Sequence, residues 1–477
     1  MITFQDFQRR ALEGGQALVE FVAFAIAEHK NSELYLTAKM ADEYDRQKNT
    51  TIYNYVRTIF SASGEAIEDF TATNNRIASN FFHRLNTQRC VYSLGNGITF
   101  PDNEDGDGSG AKLKDDLGQN FDTRMKDLAY YALIHGVSFG FWNLDKLYVF
   151  PVTEFVPMWD ELDGSLRAGI RFWQIDENKP VIAVLYEEDG FTKFSTASEI
   201  QQGTGTERRI VIGNGISFKE VQPKRGYVGN IKSTKATGDE VVGYENYSAL
   251  PIIPMWGSKL HQSTLIGMRH AIDSFDLIRS GFANDLSDCT QIYWLVENCA
   301  GMTDEDLQRF RDKLKIQRIV EVGTGEDGAK VTPYTQDIPF AARQAYLNDI
   351  RAGIYEDFGG LDVHQVNADS TNDHLEAAYQ PMDENADDFE FQIIEFIQQL
   401  LKVAGLGENT PVFKRNRISN VKEQVEIVLS EAQYLDEETL LNKLPNISPD
   451  EVETIRQNRQ AEDMQRMTMY EQLQGGE

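Results

Sequence analysis

Apolar residues at Leu375, Tyr379, Met382, Ala386, Phe389, Ile393, Phe396, Leu400 and Val403 recur at alternating steps of four and three, the stripe of one helix face. The stripe predicts a helix from His374 to Gly405, roughly 32 residues and about 48 Å long at 1.5 Å per residue. Pro381 falls inside it. An interior proline removes a backbone hydrogen bond and costs about 3 kcal/mol, so a kink is expected there, tolerated because packing of the striped face over-determines the helix. Taken alone, the stripe would equally suit a simple bundle or a two-stranded coiled coil.

A second amphipathic helix follows Gly257. Leu265, Met268, Ile272, Phe275, Phe282 and Leu286 keep the three-and-four spacing, Arg279 alone interrupts the seam, and Asp273, Asp276, Asp285 and Asp288 lie off it. The chain then reads as a strand (Gln291 to Glu297), a basic helix (Asp304 to Lys315), a strand (Arg318 to Val322), a GTGEDG turn and a strand (Ala329 to Tyr334). Another helix starts with Asp337 as N-cap and Pro339 in its first turn, and ends at Gly359-Gly360. Helix, small β-rich knob and returning helix make a hairpin-like stalk with the knob at its tip.

Upstream, residues 1 to about 90 read as polar and helical, the first 45 as an arm, with Tyr53, Val56, Ile59 and Phe60 on one face and Ile77, Phe81 and Leu85 on another. From Cys90 to about Trp256 the pattern changes to short β-prone runs such as CVYSLGNGITF, LRAGIRFWQI and KPVIAVLYEE, interrupted by a helix from Phe121 to His135. The fold class is therefore α+β. Polar, Gly-rich stretches between Gly203 and Tyr244 read as exposed loops. From Val412 onward a short strand precedes helices separated by LP and SP turns.

The length of 477 residues allows about three structural units with substantial cores, and 41% hydrophobic with 25% charged residues is an ordinary globular composition. No run approaches the 18 or so apolar residues that cross a bilayer, and the first residues lack the apolar core of a signal peptide, so no membrane association is expected. Cys90, Cys289 and Cys299 are too few for a disulfide framework and have no CxxC spacing, which fits a reducing cytosol and argues against structural zinc. Net charge changes the picture most. Seventy-five acidic against 46 basic residues leave -29, which argues against a broad nucleic-acid-gripping face while leaving room for DNA as something that passes by.

The chemistry is sparse. There is no GxxxxGK[ST] run to cradle phosphates, no HExxH, no GxSxG elbow, and no metal-ligand spacing among the seven histidines. One local pattern stands out: Asp105, Asp107, Ser109, Gly110 and Asp116 fall at positions 1, 3, 5, 6 and 12 of an EF-hand-like loop, DGDGSGAKLKDD. Lys112 stands where an aliphatic residue is usual, Asp116 is shorter than the usual bidentate Glu, and no entering helix precedes it. Calcium binding and a flexible acidic loop are the two readings, and no other cofactor is expected. The knob carries the dense basic run of this acidic chain, Arg309, Arg311, Lys313, Lys315 and Arg318, which suits either an acidic partner or a solvated helix face whose Leu307, Phe310 and Leu314 point inward.

In order, NNRIASNFFHRLNTQRCVYSLGNGITF, LAYYALIHGVSFGFWNLDKLYVFPVTEFVPMWD, ALPIIPMWGSKLHQSTLIGMRHAIDSFDLIRSGFANDLSD and YLDEETLLNKLPNISPDEVETI resemble the portal proteins of tailed double-stranded DNA phages, specifically the long-tailed phage family of about 500 residues. The resemblance runs from about Asn74 to Arg456. It implies a phage portal architecture: an N-terminal arm (1–45), a mixed α+β wing (46–262), a stem helix (263–288), a small α/β clip (289–337), a returning stem helix (338–360), a tunnel loop (361–373), a long kinked helix bent at Pro381 (374–405), and a helical crown with its tail (406–477). The tunnel loop would comprise Leu361, Asp362, Val363, His364, Gln365, Val366, Asn367, Asp369 and Asp373. In the run ADSTNDHLEAAY this chain departs from the Gly/Ser-rich turn and Lys-bearing helix start of many relatives.

The resemblance also implies a ring, usually of twelve subunits, at a unique capsid vertex of the virion, assembled in the host cytoplasm. Double-stranded DNA would pass through it during packaging and ejection, driven by a separate terminase. The expected partners are further copies of the chain, the terminase large subunit, a head-completion adaptor, and the major capsid and scaffolding proteins. The clip residues Arg309, Arg311, Lys313, Lys315 and Arg318 become candidates for terminase or adaptor docking, and the stem residues Asp273, Asp276, Asp285 and Asp288 candidates for lining the channel. No enzymatic activity is expected. The competing readings are an acidic, calcium-dependent hydrolase and a non-portal scaffold that dimerises through the 375–403 seam.

Overall fold

A computed structural model describes residues 2–60, 64–70, 72–102, 108–196, 218–234, 240–288, 293–297, 330–334, 339–362 and 372–417, with Thr303, Glu305, Val425 and 428–430. Its helices are α1 (Phe4–Ala11), α2 (Gly15–Lys30), α3 (Glu33–Asp45), α4 (Thr50–Tyr53), α5 (Phe81–Leu94), α6 (Ser109–Asp116), α7 (Phe121–His135), α8 (Leu265–Asp288), α9 (Phe340–Phe358) and α10 (Asn372–Ala404). Its strands are β1 (Thr58–Phe60), β2 (Ala66–Glu68), β3 (Ile98–Thr99), β4 (Val137–Asn143), β5 (Lys146–Pro151), β6 (Phe155–Trp159), β7 (Leu166–Trp173), β8 (Ile182–Glu187), β9 (Gly190–Thr196), β10 (Phe218–Arg225), β11 (Val228–Thr234), β12 (Glu240–Glu245), β13 (Ile252–Trp256), β14 (Tyr293–Glu297), β15 (Lys330–Tyr334) and β16 (Val412–Phe413). The chain is mixed α+β. It divides into one unit of Met1–Ala38, Leu85–Thr264 and Tyr355–Glu477 and another of Lys39–Arg84 and Leu265–Ile354.

The first unit is layered, and strand alternation explains the layers. A five-stranded antiparallel sheet, β10-β9-β8-β7-β6, sends Ala183 and Leu185 of β8 to one face and Val184 and Tyr186 to the other. Phe7 of α1 and Phe21, Val22, Ala25 and Ile26 of α2 cover the first face. The second face packs through Phe155 and Tyr186 on Phe139, Phe141 and Phe150 of a three-stranded sheet, β13-β4-β5. Buried on both sides, β4 reads as an almost unbroken apolar run; its Trp142, with Ile253 and Met255 of β13, meets α7 and the striped face of α10. Gly140 of β4 marks how close this approach is, since a Cβ there would fall 2.5 Å from the Phe396 ring.

All nine stripe residues of α10 face inward: eight are buried and Val403 packs partly buried against the same cluster. A seam buried in its own unit does not serve as a dimerisation face, which removes the scaffold reading. The helix from Phe121 to His135 and the long helices starting near residues 264 and 374 form as the periodicity predicts.

Several expectations change. The first 45 residues are not an arm: α1 opens with a reciprocal capping box between Thr3 and Asp6, and the VEFVAFAIAEH run of α2 supplies a core layer. Cys90–Leu94 continues α5 instead of starting a strand, because Tyr92 and Leu94 are buried by packing that outweighs local β propensity. Within the stretch read as loops, β10 joins the large sheet, and β11 and β12 form a hairpin. Val56 lies in no helix, and Ile59 and Phe60 belong to a β1–β2 hairpin. Residues 46–84 group with the stalk helices, not with the wing.

Candidate functional site

The stalk is built from α8, the paired strands β14 and β15, and α9. Tyr293 lies opposite Tyr334, which brings the end of α8 and the start of α9 to the same end of the hairpin. Phe282 packs against Phe340 at 5.3 Å between ring centroids, and Arg343 of α9 pairs with Asp285 of α8.

The polar face of α8 is a ladder that holds the segment before α5. Asp273 accepts from the hydroxyls of Tyr44 (2.5 Å) and Thr51 (2.8 Å) and lies 3.5 Å from Arg269. One Asp276 oxygen accepts from the Ser79 backbone N–H at 2.8 Å and the other from the Asn49 side-chain amide. Farther along, the backbone N–H groups of Ile77 and Asn75 donate to Ser280 (3.0 Å) and Asn284 (2.6 Å). These acceptors recur at steps of three and four, and three of them, Asp276, Ser280 and Asn284, take the backbone N–H of every second residue from Ser79 back to Asn75.

This geometry changes the role of one of the four stem aspartates. Asp276 is fully buried, so it does not line a channel. Burial pushes its carboxyl above the ordinary aspartate value; hydrogen bonds from Asn49 and Ser79 oppose that shift, and Asp273 adds to it. Asp273 is engaged by Tyr44, Thr51 and Arg269, and Asp285 by Arg343. Of Asp288 only the helical backbone is described.

The base of the predicted tunnel loop is anchored in the first unit. Gly359, at φ 64°, ends α9 in the left-handed conformation that glycine adopts without a Cβ penalty. Next to it, the Gln88 side chain donates to the Leu361 carbonyl (3.0 Å) and accepts from its N–H (3.1 Å). Arg89 donates to the Phe358 carbonyl at 2.9 Å and lies over the Phe358 ring at 4.2 Å; burial lowers its pKa to about 10, opposed by Asp388. Leu361 and Asp362 are both buried. Val363, His364, Gln365, Val366, Asn367 and Asp369 lie outside the described residues, and Asp373 is described only as part of α10. Pro381 is inside α10; Asn385, one turn on, donates to the Pro381 carbonyl (3.0 Å) and to that of Phe358 (3.3 Å).

A charged cluster not anticipated from sequence holds the chain after β16 against α10. Arg415 grips both oxygens of Glu390 at 3.1 and 2.9 Å, reaches Asp383 at 3.0 Å and pairs with Asp387. Arg417 donates to Asp383 and to the Tyr92 hydroxyl (2.9 Å), while Tyr92 donates to Asp383 at 2.6 Å and stacks on Tyr379. Burial raises the Asp383 pKa, yet hydrogen bonds from Tyr92, Arg417 and Arg415 outweigh it and hold the carboxyl below the ordinary range. Burial, with Asp383 as acceptor, pushes the Tyr92 phenol up to about 12. The legible signal was Asp383, Asp387 and Glu390 at steps of four and three beside the apolar stripe, with the KRNR run waiting to pair with them.

The calcium loop does not form as the spacing predicts. Asp105 and Asp107 lie outside the described residues, but Ser109 to Asp116 is the helix α6, which sets Ser109 and Asp116 about 10 Å apart along its axis instead of wrapping them around one ion. Gly110 serves close packing: its N–H donates to Asp102 at 2.9 Å, and a Cβ would strike the Phe100 carbonyl oxygen at 2.1 Å. Among the described residues no group of three His, Cys, Asp or Glu side chains is placed to hold a metal, and no helix is long and apolar enough to cross a membrane. The clip residues Arg309, Arg311, Lys313, Lys315 and Arg318 lie outside the described residues.

Two helices thus join through a strand pair, and polar clusters clamp the chain's own segments. The family model described as "Phage portal protein, SPP1 Gp6-like" matches residues 26–467, and the chain belongs to that family. It is thus a phage portal protein, a component of the virion and not an enzyme. It is 22% identical over 397 residues to a portal protein of Clostridium phage phiCD119, covering 78% of this chain and 82% of that one. To the portal protein of Bacillus phage SPP1 it is 23% identical over 444 residues, 88% and 81% of the two chains. Among solved structures it is similar to a chain from the neck of an empty gene transfer agent particle (TM-score 0.43, 11% identity, 78% of this chain and 91% of that chain) and to one from the native particle's virion (0.41, 10%, 77% and 90%).

Proposed function

We propose that the chain closes into a homo-oligomeric ring of about twelve copies at a unique capsid vertex, and that double-stranded DNA passes through the ring during packaging and ejection. The observation that carries this reading is the family match over residues 26–467, which takes in both sheets of the layered unit, though not α1 or most of α2, and the whole stalk. The acidic balance supports a conduit over a gripping surface. Twelve copies at -29 each make a formal charge of about -350, and acidic walls near phosphate keep DNA from adhering as it slides.

The ring also serves as a docking platform. In the sequence, Arg309, Arg311, Lys313, Lys315 and Arg318 concentrate positive charge in the segment between β14 and β15, and in this reading the terminase large subunit, and after packaging a head-completion adaptor, bind there. The segment 361–373, rooted at Gln88 and Arg89, is the tunnel loop of this reading, and capsid and scaffolding proteins meet the ring's outer surface. The test is a packaging reaction with proheads containing Arg309→Glu, Arg311→Glu and Lys313→Glu rings. Terminase binding and DNA uptake should fall at least about tenfold while the rings persist. Unchanged terminase binding would remove the docking assignment.

A further inference from the structure

Residues Phe340 to Gly353 of α9 are poorly covered by their own chain. Leu347 alone is buried there, and Ala342, Ala345, Asp349 and Ala352, at steps of three and four, form an exposed stripe. Helices in proteins take most of their stability from a packed face, so this stretch calls for a partner. On α8, Arg279 interrupts the apolar seam one turn from Phe275 and one from Phe282, and it is exposed. The other arginine of that helix, Arg269, lies beside Asp273, and Asp285 is held by Arg343. Neither Arg279 nor Asp349 has a charged partner among the described residues.

The two charges stand at one level of the stalk. The Tyr293–Tyr334 register and the Asp285–Arg343 pair fix α8 and α9 as antiparallel arms of one hairpin. Arg279 lies six residues before Asp285 and Asp349 six residues after Arg343, so each is displaced by about 9 Å in the same direction. Copies in a closed ring are related by rotation about one axis and therefore present the same levels to one another through a head-to-tail contact.

We propose that Arg279 of each copy pairs with Asp349 of the next, seating the interrupted seam of α8 on the small-residue stripe of the neighbouring α9. Alanines at 342, 345 and 352 let the two helices approach closely, and a guanidinium meets a carboxylate through paired donors. The occupant of the α9 stripe is thus a second copy of this chain, an inference that rests on the ring reading.

The test compares Arg279→Glu, Asp349→Arg and the combined charge swap with the wild type by native mass across a concentration series. Both positions are exposed, so thermal melting of the unassembled chains should be unchanged. Each single variant should raise the concentration for half-assembly at least about tenfold, and the swap should return it to within about threefold of wild type. Single variants that assemble like wild type, or a swap that assembles no better than the singles, would overturn the pairing while leaving the ring intact. A wild type without a ring-sized species at any concentration would contradict the ring reading itself, and the pairing with it.

Discussion

Asp276 and Asp383 show how the same residue type acquires opposite pH behaviour from its surroundings. Asp276 is raised by burial, so the protonated form is favoured in the folded state. Its contribution is fully present below the unfolded value of 3.8 and is lost as pH rises through the folded pKa. Asp383 is lowered, so its contribution is present above 3.8 and is lost as pH falls through its folded pKa. Hydrogen exchange followed against pH should therefore show the α8 ladder tightening and the α10 cluster loosening on acidification. Asp276→Ala leaves the Ser79 N–H without its acceptor and the Asn49 amide with only the Ser79 carbonyl, and should cost about 2–3 kcal/mol in chemical denaturation. Asp276→Asn should cost less and abolish the acid-side gain, since the Asn49 carbonyl oxygen lacks a partner and the amide pair can rearrange. Arg415→Ala strands Glu390 and takes one of several donors from Asp383, and should cost about 2–3 kcal/mol, read from the same denaturation curves.

The long helix α10 joins these local effects to the fold. Pro381 has no N–H for the Ala377 carbonyl, so Pro381→Ala should raise the melting temperature of the isolated chain. Gly140→Ala forces a Cβ into the Phe396 ring and should destabilise by about 1–3 kcal/mol, relieved when combined with Phe396→Leu. Elements with a sustained period were legible in sequence: α7, α8 and α10 follow their apolar spacing closely because each buries one continuous stripe. The stalk hairpin was legible too, since β14 and β15 lie where β-prone runs flank the basic segment. What stayed hidden depended on partners distant in sequence. Cys90–Leu94 is helical because Tyr92 meets Tyr379 and Asp383, and the stem aspartates look solvent-facing until Asn49, Thr51 and Ser79 are placed beside them. The Asp105–Asp116 run matched a calcium loop in spacing alone; from Ser109 on the backbone is a helix whose Gly110 fits under the Phe100 carbonyl.

At the level of the whole molecule, the account joins an acidic chain, a two-helix stalk and a family match spanning residues 26–467 into one assembly. Its electrostatics carry a salt dependence. Contacts between copies that rely on Arg279 and Asp349 should weaken as added salt shortens the screening length to about 3 Å at 1 M, whereas the buried stripe of α10 should be indifferent. The measurement that tests the central claim most directly is the native mass of the recombinant chain by mass photometry over a concentration series, followed by imaging of the largest species. With a chain of 54.1 kDa, the account predicts a discrete species near 650 kDa, about twelve copies, seen as a ring with an open axial channel. Only monomers and dimers at every concentration, or large species without a closed ring, would contradict it.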